Sequence, residues 1–427
     1  MFGVRFVDDF KRSYRKKLWI ILVVDLIAMG VYLFFLLQQQ IPKQIYLFEN
    51  DKEEFDFELP VTGKIDEEEV EVSCNSTEQI KDNIEFSLQE PFTLYSQKKG
   101  SYDMGIKLFG FIPVKNIHVK VLEKQEVIPS GETVGIKVDT DGIMVLGTGK
   151  IIGEDGNSYE PAKNIVHSGD YIRKINNIEV DTKEELVNCL KQAKNKKVVL
   201  VVERNEENIK IAINAVKDKN NEWKLGVWVR DDTQGIGTVT YITKDGEYGA
   251  LGHGISDIDT GLLMEVKEGV IYNANVYKIV KGEKGIPGEM VGYIQKEQGT
   301  IGTITQNTSY GIFGKIERKN QFLQYMSIGL KQSIELGEAT ILCKLEDEVK
   351  EYTVEIEDID WNGGRKGKEL TLKITDEKLL NLTNGIVQGM SGSPIVQNGS
   401  VIGAVTHVFV NDPTRGYGIF IENMLEQ

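Results

Sequence analysis

A chain of 427 residues with 41% hydrophobic content has room for two or three domains, each with its own core. Its net charge of −15 argues against nucleic acid as a partner, because nucleic-acid binders present a basic face. Three scattered cysteines, Cys74, Cys189 and Cys343, make no disulfide framework. With no Cys-x-x-Cys pair and no His-Glu-x-x-His helix, neither a metal nor a cofactor is expected.

Residues 1–37 read as a cytoplasmic basic segment followed by a transmembrane anchor. Arg5, Lys11, Arg12, Arg15, Lys16 and Lys17 precede residues 18–37, which are apolar except for Asp25. Twenty helical residues cover about 30 Å, enough for the hydrocarbon core. Gln38-Gln39-Gln40-Ile41-Pro42 offers no small-residue cleavage site, so the anchor is expected to stay uncleaved. The basic cluster places everything from residue 38 onward outside the cytoplasm. Asp25 costs roughly 2.5–3.5 kcal/mol at a helix centre and less toward an end, where it is expected to be tolerated.

Residues 38–119 carry short strand-like runs with acidic intervals and read as a solvated spacer or a small β module. Residues 120–216 are sharper. Val134-Gly135-Ile136-Lys137-Val138 and Ile143-Met144-Val145-Leu146 are strand-like, and Gly169-Asp170 precedes Tyr171-Ile172 and the Asn176-Asn177 turn. Thr182 with Glu185 forms a capping box opening a helix with Leu186, Cys189, Leu190 and Ala193 on one face. Two closing strands follow around Asn205. This order resembles a PDZ domain of the bacterial type, which binds a peptide as an added strand. The expected edge strand is Val134, Gly135, Ile136 and Lys137.

Residues 217–427 are β-rich, with strand-like runs at 225–229, 237–242, 270–274, 301–305, 339–343 and 352–356 and frequent Gly and Asn/Asp turns. Near the end stands Gly389-Met390-Ser391-Gly392-Ser393-Pro394, followed by two apolar runs joined through Asn398-Gly399, a hairpin signal. Glycines flanking the serine let backbone N–H groups converge and let a substrate carbonyl approach. That is the layout of the nucleophile loop in trypsin-like serine peptidases.

A serine hydroxyl needs a base, and the chain offers His118, His167, His253 and His407. His253, in Gly252-His253-Gly254-Ile255-Ser256-Asp257, has small neighbours that leave room for a substrate. His118 and His167 read as structural, and His407 as a satisfied core histidine. Candidates for the orienting acid are Asp257, Asp259, Asp376 and Asp412, and spacing does not separate them.

The run Gly249-Ala250-Leu251-Gly252-His253-Gly254-Ile255-Ser256-Asp257, then Gly385 to Pro394, then Thr406-His407-Val408-Phe409-Val410-Asn411-Asp412-Pro413, resembles the stage IV sporulation protein B peptidases. The likeness runs from the anchor to the last residue. It implies a mainly β protein with an N-terminal transmembrane helix, a small α+β PDZ-like domain and a C-terminal trypsin-like double β-barrel. It implies Ser391 as nucleophile, His253 as base and Asp376, fifteen residues before the serine, as acid; the N–H groups of Gly389 and Ser391 would form the oxyanion hole.

The family implies a peptidase exported into the space between forespore and mother cell. There it cleaves a regulatory membrane protein, and itself, so that a sigma-factor precursor is processed. The expected partners are that substrate, a peptide ligand of the PDZ-like domain and the membrane. The alternatives are an envelope quality-control protease, a carboxy-terminal processing peptidase with a Ser-Lys dyad, and an inactive membrane-anchored PDZ scaffold. The first usually places its peptidase before the PDZ domain, and the glycine-flanked serine before a hairpin does not suit the second.

Overall fold

Apolar residues without a breaker coil into one helix, Phe2–Gln40, of which Tyr14–Gln40 is long and apolar enough to cross a membrane, with mean hydropathy 2.7. The computed structural model describes residues 2–65, 70–74, 77–80, 84–193, 197–316, 324–362 and 364–427. The side chains of Arg5, Lys11 and Arg12, and that of Cys74, lie outside this description. The chain forms two units, Met1–Lys124 and Gln125–Gln427.

In the first unit the helix ends on a β module. Lys115 Nζ reaches the terminal carbonyls of Gln38, at 3.1 Å, and of Ile41, where a cation suits the helix dipole. A five-stranded sheet runs in the order Gln44–Phe48, Ile112–Leu122, Gly100–Leu108, Val61–Ile65, Ile84–Ser87. A four-stranded sheet adds Lys52–Phe55, Phe92–Ser96, Val70–Cys74 and Thr77–Ile80. Alternating apolar residues from both sheets, among them Leu47, Phe92, Leu94, Met104 and Ile117, share one core. Of the two expectations for residues 38–119, the β module is the one the structure shows.

The second unit holds two six-stranded antiparallel barrels. The first closes through residues 133–140 of Thr133–Thr148, residues 233–242 of Val227–Ile242, then Glu247–Ala250, Gly311–Ile316, Thr300–Thr308 and Val266–Val280, which pairs back to the first. The second closes through Gly337–Lys344, Val349–Ile359, Leu370–Ile374, Asp412–Phe420, Ser400–Phe409 and Pro394–Gln397. Each barrel fills with its own inward-facing side chains: Val134, Ile136, Ile271 and Ile312 in one, Ile341, Val354, Leu372 and Ile395 in the other. The Asn-Gly turn works as expected, with φ of 50° at Asn398 and 76° at Gly399 between the paired Gln397 and Ser400.

The PDZ-like unit is inserted into the first barrel and does not precede it. Thr133–Thr148 leaves the barrel at a register break between Asp139 and Met144, turned by Gly142 at φ 78°. Residues 143–148 then pair with Tyr171–Ile175 and with residues 227–230, so the insert spans 143–230. Its helix Lys183–Gln192 carries the anticipated Thr182–Glu185 capping box and buries Leu186 and Leu190 against Ile143, Val198 and Leu200. The boundary read at 216/217 is thus corrected: residues 133–140 are already a stave of the barrel that continues at 233.

Candidate active site

Ser391 and His253 both lie beside residues 406 and 407, where the two barrels meet. The serine loop hangs from the strand Val227–Ile242, whose buried threonines take up its carbonyls. Thr238 Oγ1 donates to Gly389 O at 2.8 Å, Thr238 N to Ser391 O at 3.1 Å, and Thr240 Oγ1 to Gly392 O at 2.8 Å. The amides of Met390, Gly392 and Ser393 donate to Val387, Val405 and Met390 carbonyls. Those of Gly389 and Ser391 donate to nothing among the described residues, as an oxyanion hole requires. Gly389 has φ 102°, a conformation that L side chains rarely adopt.

His253 follows a strained turn. Leu251, buried and non-glycine, has φ 71°, at a cost of about 1–2 kcal/mol. Gly252, at φ 68°, brings the backbone against Thr406: a Cβ there would lie 2.9 Å from Thr406 Cγ2. His253 Nδ1 lies 3.0 Å from the Gly254 carbonyl. That bond selects the tautomer protonated on Nδ1 and leaves Nε2 free to accept a proton. Burial pushes the His253 pKa below its ordinary 6.5, partly opposed by the Gly254 carbonyl. The base form should therefore persist to lower pH: kcat/KM is expected to fall on its acid side with a midpoint below 6.5. A measured midpoint above 6.5 would exclude a desolvated His253 as the base.

Ser391 Oγ donates to the Thr406 carbonyl at 2.6 Å and makes no hydrogen bond to the imidazole among the described residues. Residue 406 borders the site on its other side too. His407, read from its apolar alternation as a core histidine, lies partly exposed with its ring 5.0 Å from that of His253 and tilted 37°. Desolvation, aided by His253 and Lys368, pushes His407 down to about 4, so it is neutral near neutral pH. Alternation alone would put His407 on the inward face with Val405; a β-bulge between the two, paired to the adjacent Gly418 and Tyr417, turns the histidine outward, and no local pattern signals it. His118 pairs with Asp103 on the first unit's surface.

Among the described residues, none of the four candidate acids is hydrogen-bonded or ion-paired to His253. Asp376 caps the short helix Glu377–Thr383, its carboxylate accepting Leu379 N at 2.9 Å. It sits past one end of the strand Leu370–Ile374, whereas Gly367, before the other end, accepts the Thr406 hydroxyl at 2.6 Å. Asp257 and Asp259 hold Arg230, and Asp412 accepts the Thr414 hydroxyl at 2.6 Å. Asparagine caps helices as well as aspartate does. Asp376→Asn is therefore expected to keep kcat/KM within a few-fold, and Asp376→Ala to cost about 1 kcal/mol of stability. A drop on the order of 10⁴ in Asp376→Asn would instead make it the orienting acid.

The expected peptide-binding edge is also displaced. Val134, Gly135, Ile136 and Lys137 pair with residues 234–237 on one side and 270–273 on the other, inside the first barrel, so neither edge is open. Residues 227–230 pair only with 144–148 among the described residues. The helix Lys183–Gln192 packs alongside them, and Lys183 N donates to Asp231 Oδ2 at 2.8 Å. Leu225-Gly226-Val227-Trp228 opens this strand, with Gly226 at φ 70°, beside a cavity of about 490 Å³ lined by Lys150, Lys219 and Lys224.

Residues 221–425 match the family described as SpoIVB peptidase S55. Among solved structures, the chain is similar to the PDZ domain of the SdrC-like protein from Listeria monocytogenes, at 21% identity over 21% of this chain and 87% of that one, with TM-score 0.18. It is also similar to the inactive form of a Ser-to-Ala mutant of Rv3671c from M. tuberculosis, at 11% identity over 45% and 79% of the two chains, with TM-score 0.24. No curated protein matches.

Proposed function

We infer, from the match of residues 221–425 to the SpoIVB peptidase S55 family, that this serine peptidase is a membrane-anchored endopeptidase of sporulation signalling. Its helix Phe2–Gln40 would hold the bulk of the chain outside the cytoplasm, facing a regulatory membrane protein as substrate. What supports the catalytic reading is that the Ser391 hydroxyl and the His253 imidazole both border residues 406 and 407, with Nε2 of the histidine and the amides of Gly389 and Ser391 unspent among the described residues.

The chemistry follows from that arrangement. Residues 406–409 pair on one edge with 412–417, and the other edge is open among the described residues. A substrate laid along it as an added strand presents its own N–H to the Thr406 carbonyl. The Ser391 hydroxyl, displaced from that carbonyl, rotates about χ1 toward His253. Nε2 takes its proton as Oγ attacks the scissile carbonyl. The Gly389 and Ser391 amides receive the oxyanion, each worth roughly 2.7–4 kcal/mol. The imidazolium then protonates the leaving amine, and water reverses the sequence to free the acyl-enzyme.

Peptide binding on residues 227–230, in the groove beside the helix Lys183–Gln192, would give the PDZ-like unit its ligand. The test is complementation of an endospore former that lacks its own S55 peptidase. This chain is expected to restore sigma-factor precursor processing on an immunoblot, and its Ser391→Ala variant is not. Equal restoration by both would sink the signalling role.

A further inference from the structure

The loop that carries His253 is built by the first barrel but held by the PDZ-like unit. Asp257, four residues after His253, has a side chain with 0% exposure. One of its oxygens receives an Arg230 guanidinium nitrogen; the other accepts the amides of Asp259 at 3.0 Å and Thr260 at 2.8 Å. A second guanidinium nitrogen reaches Asp259 at 2.7 Å. Further along, Leu262 Cδ1 lies 2.5 Å from where a Cβ on Gly169 would stand. Glu265 N donates to Tyr171 Oη at 3.0 Å, and the Glu265 carboxylate meets Arg173 at 2.7 Å. Gly169, Tyr171 and Arg173 all belong to the insert.

Arg230 is the last insert residue on the strand whose free edge flanks the groove, in register with Met144. The planar fork of arginine spans both carboxylates at once, which a lysine ammonium does not. We propose that Arg230 is a positioning residue for His253, through which the PDZ-like unit sets the geometry of the catalytic loop. The proposal rests on the reading of Ser391 and His253 as nucleophile and base. It makes the insert a working part of the peptidase as well as a peptide-binding module. A peptide added along 227–230 would pair with the strand that ends in the clamp, so groove occupancy and catalysis share one structural element.

The experiment uses the full chain in detergent and compares wild type with Arg230→Gln, Arg230→Lys and Asp259→Asn. Two readouts are taken: amide hydrogen exchange of the 253–260 segment, and the rate at which a phosphonylating probe labels Ser391. Arg230→Gln is expected to accelerate exchange at 253–260 by about tenfold or more, with exchange in residues 339–343 of the second barrel unchanged. Its labelling rate should fall by roughly 10- to 100-fold, the range that a misplaced catalytic group costs. Arg230→Lys is expected to recover part of the rate, and Asp259→Asn, which removes only the exposed contact, to lose about threefold. Unchanged exchange at 253–260 overturns the clamp, as does faster exchange with wild-type labelling. Failure of the wild type to take up the probe would instead overturn the nucleophile reading, and the exchange comparison still decides the clamp.

Discussion

Ser391→Ala is expected to abolish peptide cleavage, with a fall in kcat on the order of 10⁶ and unchanged folding. The hydroxyl makes one hydrogen bond, to the Thr406 carbonyl, and that carbonyl remains open to substrate when the hydroxyl is gone. The net stability at stake is therefore about 1 kcal/mol. The check is cleavage of a peptide substrate alongside urea unfolding of both proteins. Wild-type cleavage by the alanine variant would remove Ser391 from the chemistry. Loss of cleavage together with loss of cooperative unfolding would leave the residue a structural one.

The neighbouring glycine should fail for a different reason. At Gly392, φ is 96°, and a Cβ would lie 2.0 Å from the Thr238 carbonyl oxygen and 2.5 Å from Leu251 N. Both obstacles are backbone atoms of the first barrel, which no rotamer change moves aside. Gly392→Ala is therefore expected to push the serine loop away from the strand that seats it. The cost is at least about 3 kcal/mol in stability, with labelling of Ser391 by a phosphonylating probe lost as well. Urea unfolding and probe labelling measure the two effects. Labelling within tenfold of wild type would show that the junction has slack the packing does not suggest.

Ser391 and His253 were legible as candidates because their local chemistry is unusual. Glycines flanking a serine, and small residues around a histidine, signal that backbone must pass close to something. At Asp376 two signals compete: the family likeness assigns it a role in catalysis, whereas its own surroundings spell a cap. It stands one residue before Glu377 and three before the apolar Leu379-Leu380 pair, a helix-start pattern. The inserted unit was hidden for a topological reason. Thr133–Thr148 is one continuous strand serving two cores, and nothing in its alternation marks where the first ends. Val134 and Ile136 point into the barrel, Ile143 and Val145 into the PDZ-like core, yet all four read alike in a list of apolar residues. Pairing partners separate them, and pairing across a hundred positions is not a local property.

The insertion also has an engineering corollary. Asp139 and Asp232 face each other across the ladder, so the two doorposts of the guest domain stand only about 5 Å apart. A two-residue reverse turn bridges such a gap. The guest can accordingly be excised, or exchanged for another, with the host hairpin reclosed at its own tip and both staves left in place. What leaves with the guest is its lien on the histidine, so a reclosed host measures how far the barrels alone can keep that side chain in order.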